Sequence, residues 1–266
     1  MMDFDAGDLQ RQGFVRLPGL ADAAALAGLR RAVRSLEELA AGRTTSDDDF
    51  VLEAAGLGGW AAWQQDEAPL TGVLRSANGI HRHVPEFEAL QESLNLARGP
   101  VAAVAGAEGT FLNSFLWAKP PVVGSAKPWH QDMAFAPPGF AAERHGIVTV
   151  WIALEAATTR NGCLEFLPCS HRGGLLPHAG DRERVAGQAP LRDAVEPHVA
   201  DADLPRSHPP VAVPLDAGSA VLFDGLVLHR SAPNTTAAEP RTAVSFVYRV
   251  PLGARSAAVG AGVDAG

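Results

Sequence analysis

Two residues that can bind a metal ion lie close together in the middle of the chain, at His130 and Asp132. On an extended strand, side chains two residues apart point to the same face, so this imidazole and this carboxylate can reach one ion. An H-x-D pair also occurs by chance in many proteins. The pair therefore predicts a metal site only if the chain supplies a third ligand.

His229 is the histidine best placed to be that ligand. It follows an apolar segment at residues 225–228 and precedes a polar turn, which predicts a position at a strand end, near the mouth of a barrel. Two histidines and one carboxylate, with other positions open, form the facial triad of non-heme Fe(II) oxygenases. The same set is compatible with zinc in a lyase, isomerase or hydrolase, and with a non-catalytic small-molecule binding protein.

Arg241 begins the last predicted strand, which runs to Val250. If its side chain points inward, it is a buried cation that needs an anionic partner. A carboxylate of a bound ligand matches the two-pronged guanidinium. An internal aspartate or glutamate matches it as well, and the spacing of the residues leaves both alternatives open.

The elements that position these residues follow one another in a simple order. A largely helical N-terminal part, 9–105, contains an amphipathic helix with Asp22 at its N-cap, and short apolar strands separated by turns follow in 106–250. This order predicts a mainly β protein with N-terminal helices and a jelly-roll core, in one catalytic domain spanning 1–266. Within the core, 170–210 is an irregular insert, either a surface loop or a lid. A flexible tail is expected at 251–266.

Composition excludes several classes of function. The net charge of -8 argues against nucleic acid or an anionic membrane surface as a partner. We find no apolar run of membrane-spanning length and no signal peptide, and two cysteines make no disulfide framework. We therefore expect a cytoplasmic protein with a small-molecule substrate, and the sequence gives no indication of its oligomeric state.

Several motifs agree in order and spacing with one known family. They are W-H-Q-D at 129–132, V-T-V-W-I-A-L-E at 148–155, P-x-S-H at 168–171, L-F-D-G at 222–225 and the arginine at 241. Over roughly residues 9 to 250, the chain resembles the phytanoyl-CoA dioxygenase family of Fe(II)/2-oxoglutarate-dependent oxygenases. Where that family has P-G-S-H, this chain has Cys169, so a locally altered turn is expected if the glycine takes a positive φ.

The resemblance implies a double-stranded β-helix, cupin-like core, with iron bound by the catalytic residues His130, Asp132 and His229. It assigns Arg241 to the distal carboxylate of 2-oxoglutarate. Further cosubstrate contacts are expected at Ser231, Asn113 and Lys119, although the family often carries glutamine where Asn113 stands. Trp151 and Thr149 share one strand face, which either packs in the core or lies beside the cosubstrate. Three residues that flank the ligand pair either line a substrate pocket or pack as apolar residues: Trp129, Met133 and Phe135.

The implied activity is hydroxylation, or another oxidation, of an unactivated C–H bond, using Fe(II), 2-oxoglutarate and O2 and releasing succinate and CO2. Asp132 argues against halogenation, because halogenases of this superfamily bind halide in place of the carboxylate. An acidic chain has few basic residues to bind the phosphates of a CoA ester, so a small metabolite of natural-product biosynthesis is favoured as the substrate. A metal-dependent lyase, isomerase or hydrolase on a cupin-like barrel is the alternative, against which Arg241 and Ser231 argue.

Overall fold

The computed structural model describes residues 4–54, 69–136, 140, 145–179 and 198–251. The strands are β1 Phe14–Leu17, β2 Phe50–Ala54, β3 Pro69–Asn78, β4 Thr110–Lys119, β5 Lys127–His130, β6 His145–Ala153, β7 Leu164–Phe166, β8 Val211–Val213, β9 Ala220–Asp224, β10 His229–Ser231 and β11 Arg241–Pro251. The helices are α1 Gly7–Gln12, α2 Ala23–Ala40, α3 Ile80–His83, α4 Glu86–Ser93 and α5 Ala102–Ala105, which a π-helical turn at Ala97–Val101 precedes.

These strands form two antiparallel sheets. The major sheet has the order β1-β9-β6-β11-β4-β3-β2, and the minor sheet has the order β5-β10-β7-β8. The sheets pack face to face, because apolar side chains of the major sheet, such as Trp151 and Phe223, form one cluster with Leu164 and Phe166 of the minor sheet. The mainly β, jelly-roll architecture with N-terminal helices is therefore confirmed.

Alternation along β6 separates the two sides of the major sheet. Val150 and Ile152 belong to the core beneath the helices, whereas Trp151 and Ala153 face the minor sheet. Both faces are apolar and the strand is buried along nearly its whole length, so its sequence reads as a continuous apolar run. Residues between 149 and 153 thus reach the space between the sheets only at odd positions.

The N-terminal part supplies strands as well as helices. Asp22 caps α2 as expected, since its carboxylate accepts a hydrogen bond from the Ala25 N–H at 2.9 Å. In addition, β1 pairs with β9, and β2 and β3 extend the major sheet beyond β4. The sequence of β3 did not predict a strand, because Leu74 and Ala77 alone are fully buried among its ten residues and no clean alternation results.

Two predicted segments fall partly outside the described residues: 180–197 of the irregular insert and 252–266 of the expected tail. Cys169 takes a left-handed conformation, with φ +66°, which side chains other than glycine rarely adopt, so the cysteine has not moved this turn to a negative φ. Among the helices in the described part of the chain, none combines the length and apolar character needed to cross a membrane.

Candidate metal centre and cavity

The three predicted ligands meet between the two sheets. His130 ends β5 and His229 begins β10, and the two residues are paired directly across the minor sheet. Asp132 follows in a 3₁₀ turn at Asp132–Phe135. Its Oδ1 atom lies 3.7 Å from His130 Nε2 and 3.5 Å from His229 Nε2, so all three donor atoms converge on one point.

Hydrogen bonds fix which nitrogen each histidine presents. His130 Nδ1 lies 2.8 Å from the Pro128 carbonyl oxygen, and His229 Nδ1 lies 3.1 Å from that of Val227. A carbonyl oxygen only accepts, so each Nδ1 carries the proton and each Nε2 keeps its lone pair. Proteins commonly orient a metal-binding histidine by such a hydrogen bond, donated by the ring nitrogen that does not bind the metal.

The charge state of both rings suits metal binding. Burial lowers the pKa of His130 well below its usual range, and the neighbouring His229 lowers it further. Burial also lowers the pKa of His229, although Asp132 acts in the opposite direction. Both imidazoles are therefore neutral near pH 7, which is the form that binds metal.

One hydrogen bond orients the carboxylate of Asp132, and another holds the turn that carries it. The Thr149 hydroxyl donates to Oδ2 at 2.7 Å, which leaves Oδ1 for the site. The turn is fixed to the major-sheet side by the Met133 N–H, which donates to the Gly225 carbonyl at 2.8 Å. Thr149 lines the cavity as its alternation phase allowed, and its hydroxyl is engaged with Asp132.

Arg241 is buried in the same cavity. Its Nη1 donates to the Trp117 carbonyl at 3.0 Å, and its guanidinium lies 5.5 Å from the centroid of the Trp151 ring. Among the described residues, its Nε–H has no hydrogen-bond partner and no carboxylate forms an ion pair with it. Burial lowers the pKa of Arg241 to about 10, so it remains a cation near pH 7. No described residue therefore supplies the internal carboxylate that was one of the two alternatives for its partner.

The cavity has a volume of about 740 Å³ and contains most of the predicted site residues. Lys119 is buried, and its ammonium donates to the carbonyls of Ser125 and Ser231. Asn113 uses its amide within the protein, donating to Asn78 Oδ1 at 2.9 Å and accepting from the Ser114 N–H. The predicted cosubstrate residues that line the cavity are Ser231, Asn113, Lys119, Trp151, Thr149 and Arg241.

The expected substrate pocket needs a correction. Phe135 lines the cavity, with its ring centroid 6.0 Å from that of His130. Trp129 faces the opposite side of β5 and packs with Leu167 and Leu228. Met133 packs in a separate apolar cluster with Ile147. Neither Trp129 nor Met133 is among the described residues that line the cavity.

Gln131 is a structural residue that the sequence analysis missed. It is fully buried and faces away from the metal centre, and its Nε2 donates to the carbonyls of Gly174 and Leu226 at 2.9 and 2.6 Å. Its Oε1 accepts from the Leu176 N–H at 2.8 Å. Its position between two inward residues was the signal, because alternation places residue 131 on the other face.

Nothing in the donor set conflicts with a divalent iron. Two neutral imidazole nitrogens and one carboxylate oxygen converge, and a buried cation with an open donor lies in the same cavity. A family model described as Phytanoyl-CoA dioxygenase (PhyH) matches residues 9–243. The chain belongs to this family. Membership in the phytanoyl-CoA dioxygenase family agrees with the architecture and with the three converging ligands.

Individual proteins of known name share about a third or less of their aligned residues with this chain. Phytanoyl-CoA dioxygenase domain-containing protein 1 of Danio rerio is 35% identical over 124 residues, which are 46% of this chain and 38% of that protein. The chain thus spans less than two fifths of that curated relative. Among solved structures, EvdO2 from Micromonospora carbonacea var. aurantiaca, complexed with 2-oxoglutarate, is 27% identical, with 94% of each chain covered and a TM-score of 0.62.

A further solved structure shows how widely the fold is used. The non-heme alpha ketoglutarate dependent epimerase SnoN from nogalamycin biosynthesis is 19% identical, with 97% of this chain and 90% of that chain covered and a TM-score of 0.60. At this identity the likeness extends to the fold alone. The fold of the phytanoyl-CoA dioxygenase family therefore leaves the kind of reaction open.

Proposed function

We propose that this chain is a single catalytic domain that oxidises a C–H bond of a small metabolite, using Fe(II), 2-oxoglutarate and O2. One observation carries the proposal: a buried arginine with an open N–H lies in the same cavity as two histidines and an aspartate that converge on one point. A metal site alone fits many reactions. A metal site beside a buried cation fits a reaction with an anionic cosubstrate.

Different residues of the cavity would bind the iron and the 2-oxoglutarate. His130 and His229 would hold iron through Nε2, and Asp132 would hold it through Oδ1 while Thr149 keeps Oδ2 occupied. Arg241 would bind the distal carboxylate of 2-oxoglutarate, the ligand found in the related EvdO2 structure. Ser231 and Lys119 line the same cavity and are further candidates for cosubstrate contacts, whereas Asn113 already uses its amide within the protein.

Burial strengthens these interactions. His130, His229 and Arg241 are each at most 5% exposed, so water competes weakly for their donors and acceptors. The Trp151 ring covers the guanidinium on one side. Iron with 2-oxoglutarate and O2 supplies the oxidising chemistry, in which 2-oxoglutarate becomes succinate and CO2. The chain's contribution is to hold these components and to orient the substrate C–H bond.

The first experiment measures cofactor binding before turnover. Under anaerobic conditions, Fe(II) and 2-oxoglutarate added to the protein should give a visible charge-transfer band, and His130→Ala should abolish it. The matched control is His208→Ala, which removes an exposed histidine and should leave the band intact. A band of equal intensity in His130→Ala would remove His130 from the ligand set.

Turnover then separates this proposal from its alternatives. O2 consumption and succinate formation that require 2-oxoglutarate identify an oxygenase. A metal-dependent lyase, isomerase or hydrolase would act on its substrate without O2, and a binding protein would bind without turnover. Because the fold also occurs in an epimerase, mass analysis of the product in H₂¹⁸O and ¹⁸O₂ is needed. Incorporation of one oxygen atom from ¹⁸O₂ identifies hydroxylation.

A further inference from the structure

A β-bulge on β4 turns two consecutive residues toward the cavity. In the pairing of β4 with β11, Val247 pairs with Asn113 and Tyr248 pairs with Phe111, so Leu112 is the extra residue of the bulge. Leu112 and Asn113 both line the cavity, although neighbours on a regular strand point to opposite faces. Bulges beside active sites commonly re-aim side chains in this way, which marks this part of β4 as a wall that meets a ligand.

Asn113 forms an amide pair with Asn78 of the neighbouring strand β3. Asn113 Nδ2 donates to Asn78 Oδ1 at 2.9 Å, and Asn113 Oδ1 accepts from the Ser114 N–H. Asn78 Nδ2 donates to the Asp48 carbonyl over a long 3.5 Å. A side-chain amide has two N–H groups and two lone pairs, so within the described residues each asparagine keeps one of both for another molecule. Both asparagines line the cavity, where a ligand can reach them.

Asn113 faces the metal centre across the width of one strand. Asn113 and Thr149 both pair with Val247, from opposite sides of β11, so the three residues form one row across the major sheet. Neighbouring strands are about 4.8 Å apart, which separates Asn113 from Thr149 by roughly 10 Å. Thr149 in turn donates to the metal ligand Asp132. A molecule that extends from the metal centre to the amide pair therefore lies over Val247.

The 2-oxoglutarate expected at Arg241 takes a different direction. Arg241 pairs with Lys119, which lies six residues along β4 from Asn113, a distance of roughly 20 Å at the rise of a strand. A 2-oxoglutarate that joins Arg241 to the metal runs toward Thr149 on β6, two strands away from β4. This geometry favours a substrate contact at Asn113 over the cosubstrate contact that the family resemblance implies.

The surface between the metal centre and the amide pair is apolar. Val247 packs in one cluster with Phe115, Phe140 and Ile147, and all four side chains line the cavity. The Phe115 ring is stacked on that of Trp117, with centroids 5.6 Å apart and an interplanar angle of 23°. Such a surface suits an apolar molecular body that is oriented by a few polar groups at its end.

The charged side chains beside the amide pair do not favour an acid. The Asn78 N–H donates to the Asp49 carbonyl, and the Asp49 carboxylate is already in contact with two cations, at 2.8 Å from Arg82 and 3.1 Å from His83. Asp48 borders the cavity next to them, and its negative charge would repel an anion. The amide pair is left as the group that recognises a substrate, and amides select neutral hydrogen-bonding partners.

We propose that the substrate is a neutral molecule with an apolar body, which lies over Val247 and Phe115, and with a hydroxyl, carbonyl or amide group that binds Asn113 and Asn78. The inference rests on the proposed function, because it sets the oxidised C–H bond at the metal centre and the polar group at the other end of the body. Asn113 and Asn78 are then determinants of specificity.

The test uses the full chain loaded with Mn(II) and saturating 2-oxoglutarate without O2, so that binding is measured without turnover. The probes are 2-naphthamide, 2-methylnaphthalene and 2-naphthoate, which share a ring system and differ in their polar group, and equilibrium dialysis gives their Kd values. The amide should bind more tightly than the acid. Asn113→Leu should weaken 2-naphthamide by about fivefold, the effect of one or two neutral hydrogen bonds, and change 2-methylnaphthalene by less than twofold.

Two further variants make the result specific. Asn78→Leu removes the other amide of the pair and should give the same selective loss. Thr110→Val removes a polar group from the exposed start of the same strand, outside the described cavity lining, and should change neither Kd. The inference is overturned if 2-naphthamide does not bind, if 2-naphthoate binds as tightly, if Asn113→Leu changes the amide and the hydrocarbon alike, or if Thr110→Val reproduces its effect.

The two proposals fail in distinguishable ways. If 2-oxoglutarate does not bind to the Mn(II)-loaded protein, the proposed function is wrong whatever the probes do. If 2-oxoglutarate binds and 2-naphthamide does not, the proposed function stands and the inference about the substrate is overturned. If Asn113→Leu weakens 2-oxoglutarate as strongly as 2-naphthamide, Asn113 is a cosubstrate contact and the inference is again overturned.

Discussion

An arginine and a tryptophan lie together both between the sheets and on the outer face of the minor sheet, but the hydrogen-bond partners of the two arginines differ. Inside, Arg241 lies 5.5 Å from the Trp151 ring and keeps an N–H without a partner. Outside, Arg230 lies 4.7 Å from the Trp129 ring, and its Nε and Nη2 donate to Glu165 Oε2 at 3.1 and 2.8 Å. Each arginine thus lies over a tryptophan, and among the residues that the structure describes, Arg230 alone of the two is paired with a carboxylate.

The residues of β5 and the turn after it show the same division. His130 and Asp132 point inward, and their possible metal-binding atoms lie close together. Gln131 points outward, and both ends of its side-chain amide form hydrogen bonds with the main chain. Buried polar groups are usually satisfied internally because an unpaired one is costly. The contrast shows that the inner side presents polar atoms to the cavity, while the polar groups of the outer side bond within the protein and stabilise the fold.

The largest effect is expected at Arg241. Arg241→Met should weaken 2-oxoglutarate binding by roughly 30-fold or more, because removing one partner of a buried charge pair costs about 2–5 kcal/mol. Anaerobic titration gives the Kd. Arg230→Met is the matched control and should change this Kd by less than twofold. Equal effects of the two substitutions would remove the distinction between the inner and outer arginines.

Gln131 should affect stability more than ligand affinity. Gln131→Met leaves two carbonyls and one N–H without their partners, which should lower the free energy of unfolding by about 2 kcal/mol. Urea denaturation of the metal-free protein measures this change. A normal unfolding free energy together with a large loss of metal affinity would show that the outer face serves the metal centre directly, contrary to the comparison.

A substitution of Thr149 tests whether the hydrogen bond that orients the Asp132 carboxylate contributes to metal affinity. Thr149→Val removes the donor to Asp132 Oδ2, and losing such an outer contact typically lowers metal affinity by about tenfold. Competition with a coloured chelator measures the affinity for Fe(II) or Mn(II). Thr149→Ser keeps the hydroxyl and should retain the affinity. If serine and valine weaken binding alike, the methyl packing of Thr149 matters and its hydrogen bond does not.

The smallest effect is expected at the outer ion pair. Arg230 and Glu165 are both partly exposed, so a double-mutant cycle with Arg230→Met and Glu165→Gln should give a coupling free energy of about 1 kcal/mol or less. Thermal or urea unfolding of the four proteins supplies the cycle. A coupling of several kcal/mol would place this pair among the buried networks that determine the fold.

The sequence predicted the parts of the site that depend on residue type. His130, Asp132 and His229 were identifiable because few side chains bind metal and because one histidine follows an apolar segment. Arg241 was identifiable as an inward cation, and the structure shows it buried without an ion pair to any carboxylate of the described residues. The direct pairing of His130 with His229 was beyond prediction, since strand pairing between distant segments depends on the whole fold.

Other features lacked a local signal. The partners of Gln131 at Gly174 and Leu226 are brought to it only when distant segments fold back on β5. Lys127 and Trp117 are separated in sequence and meet between the sheets. For Trp129 a local signal exists, because a residue adjacent to an inward histidine on a strand must face outward.

The direct pairing of His130 with His229 has a consequence for how the chain folds. Slipping β5 by one residue against β10 would turn every side chain of β5 to the other face, so that Trp129 or Gln131 would stand where His130 belongs. A metal ion then binds tightly only to the correct register, and its binding free energy is added to that register alone. Metal supplied during folding would thus raise the fraction of chains in which β5 and β10 are paired in the correct register.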